Sequence, residues 1–269
     1  MPNDDVADQL RALGLRSSPR EALLALLAHA TKHRLSPVQV CEALVALERR
    51  ERDLRNLASR TKAAALGAFK PLDQFDWNHP REIDRELYEQ LLALDFLAAG
   101  HNVLLRGPSG VGKTTLAQNL GHAALAHGYT VRFTTLAAAI ADLLKQESVP
   151  ALERRLRRYV GPALLIVDEI GYLPCDRQSA DLFYNIISRR HDRRSTIVTT
   201  NLAFKQWSTV FPGAACVGAL VDRFSHHCHP IDIDADSWRT KESQGFKKTT
   251  AKPPEPQSKK KKPRSPAST

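Results

Sequence analysis

The feature that most constrains this 269-residue chain is a glycine-rich octapeptide, Gly107-Pro108-Ser109-Gly110-Val111-Gly112-Lys113-Thr114. It matches the phosphate-binding pattern G-x-x-x-x-G-K-[ST] at every fixed position. Glycines let the backbone curl until successive N–H groups point at phosphate oxygens, and a following helix adds the positive end of its dipole. We expect Lys113 to approach the β- and γ-phosphates of ATP and the Thr114 hydroxyl to hold Mg²⁺. The octapeptide and the adjacent Thr115 therefore form the predicted nucleotide-binding set.

The segments around the octapeptide alternate between strand and helix patterns. Apolar runs at 102–106, 163–167 and 195–200 predict buried strands, and shorter strands are predicted at 130–134 and 231–233. Helices are predicted at 84–99, 113–127, 136–146, 178–191 and 217–224. The alternation predicts an α/β P-loop fold, in which helices flank a parallel sheet of five strands. A strand before the octapeptide and a helix after it also disfavour a chance glycine-rich turn.

The ends of the chain differ in character from this central region. Ser18-Pro19-Arg20-Glu21 and Ser36-Pro37 each have the pattern of a helix start, with a capping serine and a proline in the first turn. Residues 1–17 lack such a pattern, and we expect them to be poorly ordered. The sequence therefore predicts a small all-helical N-terminal domain at 1–66, a nucleotide-binding domain at 67–245 and a disordered basic tail at 246–269.

Two acidic residues follow the buried strand that ends at Val167. Ligands bind at the carboxyl ends of the strands in open α/β sheets, so both acids are expected near the phosphates. Asp168 is the candidate Mg²⁺ ligand together with Thr114, and Glu169 is the candidate general base that activates water. Solvated loop acids are the alternative, which the neighbouring P-loop disfavours.

Two further residues are candidates for a catalytic role. Asn201 follows the next strand and is the candidate sensor of the γ-phosphate, although a polar residue that caps the strand end is an alternative. Arg223 precedes the last strand and is the candidate arginine finger that completes the site of a neighbouring subunit. A surface contact between Asp222 and Arg223 is the alternative for that residue.

Positive charge points to an anionic partner, but its distribution matters. The formal net charge is +10, of which residues 247–269 contribute +7, so only +3 remains for the rest of the chain. We therefore expect duplex DNA to bind at local basic clusters, because arginine and lysine side chains attract phosphates whatever the base sequence. The clusters are Arg49, Arg50, Arg52, Arg55, Arg60 and Lys62; Arg154, Arg155, Arg157 and Arg158; and Arg189, Arg190, Arg193 and Arg194. A solvated helix face is the alternative for each cluster taken alone.

Other features of the sequence favour a reduced chain in the cytoplasm. No run of 18 apolar residues and no signal-peptide pattern is evident, so no membrane association is expected. The four cysteines are far apart and form no CxxC pair. A metal site at His226, His227, Cys228 and His229 is disfavoured, because adjacent ligands converge poorly and no second pair has ligand spacing.

Several segments resemble a known family, the IstB-like ATPases, which are helper proteins encoded beside the transposase in bacterial insertion sequences. The most specific are 168–174 (Asp-Glu-Ile-Gly-Tyr-Leu-Pro) and 222–227 (Asp-Arg-Phe-Ser-His-His). The resemblance extends over roughly residues 9–245, with Trp238 where tyrosine is usual and Thr115 where histidine is common. It implies an AAA+ fold close to that of the DnaC-type helicase loaders.

The resemblance also implies a function and partners. The protein would bind ATP and Mg²⁺, hydrolyse ATP, form an ATP-dependent homo-oligomer on duplex DNA, deform that DNA, and recruit or stimulate a transposase. Phe75, in the segment 72–76, would lie near the adenine, and Arg223 would act on the neighbouring subunit. The helical N-terminal domain would bind the partner or DNA.

Three other functions are alternatives to this one. A DnaC-type replicative helicase loader would use its N-terminal domain to bind a helicase instead of a transposase. A DNA scaffold would bind ATP with negligible turnover. A P-loop kinase of small molecules explains neither the Asp168-Glu169 pair nor Arg223.

Overall fold

The structure, a computed structural model, describes residues 2–172, 175–238 and 240. The predicted basic tail at 246–269 lies outside the described residues, as do Leu173 and Pro174 of the family-like segment. No helix in the described part of the chain combines the length and the apolar character needed to span a bilayer.

The described residues form one mixed sheet of six strands. In spatial order these are β1, β6, β2, β5, β4 and β3. Their ranges are β1 Glu82–Ile83, β2 Asn102–Arg106, β3 Val131–Thr135, β4 Leu164–Ile170, β5 Ser195–Thr200 and β6 Cys228–Asp234. The five predicted parallel strands are confirmed. The antiparallel edge strand β1 was not predicted, because two residues are too few to show an alternating pattern.

Among the described residues, three helices come before the first strand in the chain, and most of the later helices cover the two faces of the sheet. The first three are α1 Pro2–Ala12, α2 Arg20–His33 and α3 Pro37–Ala64. The others are α4 Arg85–Leu91, α5 Asp95–Ala99, α6 Lys113–Ala126, α7 Leu136–Leu144, α8 Val149–Val160, α9 Arg177–Arg190, α10 Trp207–Val210 and α11 Val217–Ser225. Short 3-10 turns occupy Leu72–Gln74 and Phe204–Gln206.

The core consists of two apolar layers, one on each face of the sheet. Alternate residues of β4 enter different layers: Leu164 and Ile166 pack in the layer that contains α6, whereas Leu165 and Val167 pack in the layer that contains α7 to α11. All four are at most 2% exposed, which explains why the strand appears in the sequence as a continuous apolar run. The sheet is thereby held between helices, and its carboxyl edge remains available for a ligand.

Three predictions about helices are wrong. Residues 2–12 form helix α1 instead of a poorly ordered segment. Ser18 does not cap α2; its N–H and hydroxyl instead donate to the buried carboxylate of Glu48 on α3, at 2.9 and 2.8 Å. The predicted helix 84–99 is two helices, because Leu94 adopts a left-handed conformation (φ 68°) and lies buried between them. By contrast, Ser36 forms the capping box with Gln39 that starts α3.

The end of α3 joins the helical segment to the sheet. Ala64 and Leu66 are buried in the layer that contains α6, and the side-chain amide of Gln118 donates to the carbonyl of Leu66 at 2.6 Å. Arg132 on β3 donates to the carbonyl of Ala63 at 3.1 Å. The predicted boundary at residue 66 therefore falls where the two parts of the chain are in contact.

Candidate nucleotide site

A cavity of about 450 Å³ lies at the carboxyl edge of the sheet. The lining comes from the loop 68–79, the segment 110–118 that begins α6, the residues at the ends of β4 and β5, and Trp238. Strand β5 lies between β2 and β4, so the P-loop and the acid pair face each other across one strand. The arrangement brings together the groups that the sequence analysis assigned to phosphate and Mg²⁺.

Gly112 and Gly107 of the P-loop lie where a side chain would not fit. Gly112 has φ +98°, and a Cβ there would lie 2.7 Å from the ring of Phe75. A Cβ on Gly107 would lie 2.3 Å from the carbonyl oxygen of Ile233 on β6. The loop therefore approaches both its neighbours closely, and any side chain at either position would displace them.

Lys113 begins α6 and is only 5% exposed. Its Nζ atom donates to the carbonyl oxygens of Gly107 at 2.7 Å and Pro108 at 2.6 Å, so the loop itself positions the ammonium group. The first N–H groups of α6 lie beside this charge. A concentrated positive potential results where the phosphates are predicted to bind.

Asp168 is the centre of a network of oxygen atoms. The carboxylate is 4% exposed and accepts hydrogen bonds from the Thr114 hydroxyl, at 3.0 and 3.1 Å, and from the Thr199 hydroxyl. Mg²⁺ prefers oxygen ligands and few of them from protein, which matches one carboxylate and one hydroxyl beside substrate phosphates. The residues present therefore fit Mg²⁺, which Thr114 and Asp168 would hold.

Glu169 differs from Asp168 in exposure and in backbone conformation. It is exposed, has φ 64°, and lies where the pairing of β4 with β5 is irregular, between Val167 and Ile170. Its N–H donates to the Thr199 hydroxyl at 3.0 Å, which holds the turned backbone. The irregularity lets two successive acids serve one cavity, because a regular strand would direct them to opposite faces.

The structure does not bring Asn201 into the cavity lining. Asn201 is exposed and lies one residue beyond β5, where its side-chain oxygen lies close to Gly171. Thr199 instead lines the cavity and contacts Asp168. Sequence reasoning missed Thr199 because every residue of β5 is buried, so the strand shows no alternation that marks one residue as facing a ligand. The sensor role of Asn201 stays a prediction.

Aromatic side chains line the other end of the cavity. Phe75 lies against Gly112 and contacts Trp77 edge-on, with ring centroids 4.8 Å apart. Trp238 also lines the cavity, packs edge-on against His79, and donates its backbone N–H to the carbonyl of Gly110 at 3.0 Å. These flat surfaces suit a purine base, as predicted for Phe75, and sequence reasoning missed the contribution of Trp238.

Arg223 is outside the cavity of its own chain. Within the described residues it contacts α9, where its guanidinium donates to the Ser188 hydroxyl and lies over the Tyr184 ring, 4.9 Å from the centroid. These contacts differ from the alternative pairing with Asp222. The residue is only partly buried, so it faces a surface that a second subunit can approach.

The assignment of Arg190 to DNA is wrong. Arg190 is 1% exposed, and its guanidinium donates to the Thr196 hydroxyl and to backbone carbonyls that include those of Pro162 and Ser195. Burial, with a smaller effect of Arg194, lowers the pKa of Arg190 to about 9. A guanidinium engaged in this way joins α9 to the strands and cannot reach a phosphate on the surface.

The other candidate DNA-contacting arginines fall into two groups, those that form ion pairs and those that are exposed. Three arginines are engaged in ion pairs: Arg52 with Glu48, Arg155 with Asp142 and Arg189 with Glu153. The exposed candidates that remain are Arg49, Arg154, Arg157 and Arg158. Sequence alone could not separate these groups, because the acidic partners are distant in the chain in two of the three pairs.

Comparison with solved structures agrees with the fold. The chain resembles the replication initiator DnaA bound to AMPPCP and single-stranded DNA, with a TM-score of 0.52 and 18% identity over 69% of this chain and 56% of that one. It also resembles DnaI, with a TM-score of 0.50 and 20% identity over 64% of this chain and 90% of that one. At these identities the likeness concerns the fold alone, and it agrees with the predicted α/β P-loop fold.

Comparison of sequences is more specific. The chain is 38% identical over 220 residues to the ATP-binding protein of insertion sequence IS21 from Pseudomonas aeruginosa, with 82% of this chain and 83% of that protein covered. It is 37% identical over 204 residues to the ATP-binding protein of IS232 from Bacillus thuringiensis subsp. berliner, with 75% and 82% covered. A family model described as IstB-like ATP binding protein matches residues 8–245. With its P-loop cavity, the chain therefore belongs to the IstB-like ATP-binding proteins of bacterial insertion sequences.

Proposed function

We propose that this chain is an ATPase that assists transposition. In this proposal it forms an ATP-dependent homo-oligomer on duplex target DNA, deforms that DNA, and recruits or stimulates a transposase. The acid pair at the end of β4 is the observation that supports ATP hydrolysis. Nucleotide binding alone requires no exposed carboxylate beside the Mg²⁺ ligands. The insertion-sequence names of the relatives support the assignment to transposition.

The cavity contains groups suited to in-line attack of water on the γ-phosphate. Lys113 and the amides of the P-loop hold the phosphates, and Thr114 with Asp168 holds Mg²⁺, which neutralises phosphate charge when bound. Glu169 accepts a hydrogen bond from the attacking water and takes its proton. Arg223 of a neighbouring subunit completes the site by stabilising the charge that develops on the γ-phosphate.

Helix α8 is the surface best suited to DNA phosphates. Arg154, Arg157 and Arg158 are exposed and spaced along one face of the helix, whereas Leu156 and Tyr159 are buried on the other. Burial together with the nearby Arg158 lowers the pKa of Arg132 on β3, so positive charges from two elements lie close together. A phosphate backbone would relieve this repulsion.

The DNA contact is tested by the salt dependence of binding. Replacing Arg154, Arg157 and Arg158 by alanine should lower the slope of log affinity against log salt by roughly 2–3 units, since each neutralised phosphate contributes about 0.9. Fluorescence anisotropy with a labelled duplex and a non-hydrolysable ATP analogue measures the slope. Alanine at Arg16, Lys32 and Lys205 removes the same charge from exposed positions outside the three clusters, and this matched control should keep the wild-type slope. An unchanged slope in the α8 variant excludes that surface.

The proposed activity is tested with the wild-type chain and Lys113→Ala. Wild type should release phosphate from Mg-ATP faster when duplex DNA is added, and the variant should lose both ATP binding and phosphate release. ATP binding without phosphate release, even with DNA, would indicate the scaffold function instead. A separate pull-down with this chain as bait distinguishes the helicase loader. Binding of a replicative helicase in place of a transposase would indicate that function.

A further inference from the structure

Two helix ends converge at the edge of the sheet opposite the nucleotide cavity. Helix α9 ends at Arg190 and is followed by His191 and Asp192, and α11 ends at Ser225 and is followed by His226. These residues precede β5 and β6, so they lie at the amino ends of the strands, whereas the P-loop follows the carboxyl end of β2. The convergence is therefore remote from the predicted site of ATP and Mg²⁺.

The carboxylate of Asp192 lies between two imidazoles. Its Oδ2 atom is 3.2 Å from Nε2 of His191, and its Oδ1 atom is 3.5 Å from Nδ1 of His226. One ligand atom from each of the three residues lies within 4.8 Å of the others. Asp192 has φ 54°, a left-handed conformation that aspartate and asparagine tolerate, and this turn directs its carboxylate toward both rings.

These separations resemble those of a zinc coordination sphere. Bonds of about 2.0–2.1 Å at the tetrahedral angle place two ligand atoms about 3.3 Å apart. The carboxylate–imidazole distances, 3.2 Å at Oδ2 and 3.5 Å at Oδ1, are close to that value but involve different oxygens, so a rotation of the carboxylate is needed to bring one oxygen near both imidazoles. The side chains of Asp192 and His226 are more than half exposed, so they can rotate to close the remaining separation between the imidazoles.

The ends of the two helices also favour a cation. The N–H groups of His191 and His226 donate to the carbonyls of Ile187 and Asp222, so both residues cap the carboxyl end of a helix, where the dipole is negative. Imidazole nitrogen suits zinc, copper and nickel, whereas Mg²⁺ prefers oxygen ligands. The site thus differs in chemistry from the nucleotide cavity.

We propose that His191, Asp192 and His226 bind one zinc ion, with water in the fourth position. A metal at 226–229 is disfavoured by sequence because no second pair of ligands has suitable spacing there. The turn after α9 supplies that pair from a distant part of the chain. Bound zinc joins α9 to α11 at the end of α11 that carries Arg223. The proposal does not depend on ATP hydrolysis.

Calorimetric titration of the full chain with zinc chloride, without nucleotide, tests the proposal. Wild type should bind one equivalent of zinc. Asp192→Asn and His226→Gln should each lower the zinc affinity by more than roughly 100-fold, because loss of a residue that only supports a ligand costs roughly 10–100-fold. Asparagine keeps the left-handed turn and removes only the charge, so Asp192→Asn remains decisive if His226→Gln folds poorly. Magnesium chloride at the same concentration should give no binding to this site.

His33→Gln is the matched control for histidine loss elsewhere. It removes one ring of the pair His29–His33 on α2, whose centroids are 4.2 Å apart, and it should bind zinc as wild type does. Loss of zinc binding only in His33→Gln would overturn the proposal, as would wild-type affinity in both Asp192→Asn and His226→Gln. Absence of saturable zinc binding in the wild-type chain would overturn it as well.

Discussion

At the residue scale, Glu169 combines an exposed carboxylate with a left-handed backbone, which costs a residue with a side chain about 1–3 kcal/mol. The structure retains this conformation where the Thr199 hydroxyl accepts the N–H of Glu169. We expect Glu169→Gln to bind Mg-ATP with near wild-type affinity, because the glutamine has the same shape. Its rate of phosphate release should fall by about 10²–10⁴-fold, since an amide cannot accept the proton of water.

Nucleotide affinity and single-turnover phosphate release measure the two effects in Glu169→Gln separately. Glu147→Gln makes the same change at another exposed glutamate and should leave both quantities unaltered. If Glu169→Gln retains wild-type turnover, Glu169 is not the general base, and the hydrolytic water must be activated by another group.

Residues constrained by a motif are predictable from sequence, whereas residues selected by burial are not. Lys113, Thr114 and Asp168 were predicted because phosphate and Mg²⁺ chemistry requires fixed residue types at fixed places along the chain. The run of arginines assigns Arg190 to DNA, yet its guanidinium is buried among backbone carbonyls from two segments of the chain, 159–163 and 195. Nothing in a run of arginines indicates which one enters the core.

At the scale of elements, Glu48 links α3 to the turn before α2. Burial alone would raise the pKa of Glu48, but hydrogen bonds from Ser18, Ser17 and Arg52 outweigh burial and lower the pKa to about 2. The unfolded glutamate titrates at about 4.5, so the stabilisation is complete above that pH and is lost as the pH falls towards 2. The helical segment therefore depends on pH through one carboxylate.

Ser18→Ala tests this link. Loss of a hydrogen bond to a buried carboxylate should lower the free energy of unfolding by about 1.5–3 kcal/mol at pH 7, and the difference from wild type should shrink as the pH drops below about 4.5. Urea denaturation between pH 7 and pH 3.5 measures it. Ser36→Ala is the control: it removes the cap of α3, should cost about 1 kcal/mol, and involves no titrating group. Equal pH dependence in the two variants would contradict the assignment to Glu48.

The N-terminal elements show why local patterns predict some helix starts and not others. Ser36 and Gln39 form a capping box because both partners belong to the same turn. Ser18 has the same local signal, but a buried carboxylate 30 residues away competes for its hydroxyl and is the stronger acceptor. The break at Leu94 has a similar origin, since burial of that side chain outweighs the local preference for a continuous helix.

At the scale of the whole molecule, the cavity and Arg223 are separate parts of one chain. Arg223 contacts Ser188 and Tyr184 on α9, whereas the phosphate groups are predicted to bind at the start of α6. A catalytic role for this guanidinium therefore requires a second subunit that places its α11 against the cavity of the first. In an oligomer of that kind, each active site is made from two chains.

Mixing two inactive variants tests this arrangement. Glu169→Gln lacks the base but keeps its arginine, and Arg223→Ala lacks the arginine but keeps its base. In a mixed oligomer, a Glu169→Gln subunit supplies Arg223 to the intact cavity of an Arg223→Ala neighbour, so phosphate release should recover to a fraction of the wild-type rate. The control mixes Arg223→Ala with the double variant Glu169→Gln/Arg223→Ala, in which no arginine is available and no recovery is expected. Equal rates in the two mixtures would place the role of Arg223 within its own chain, where its contacts with α9 make it a structural residue.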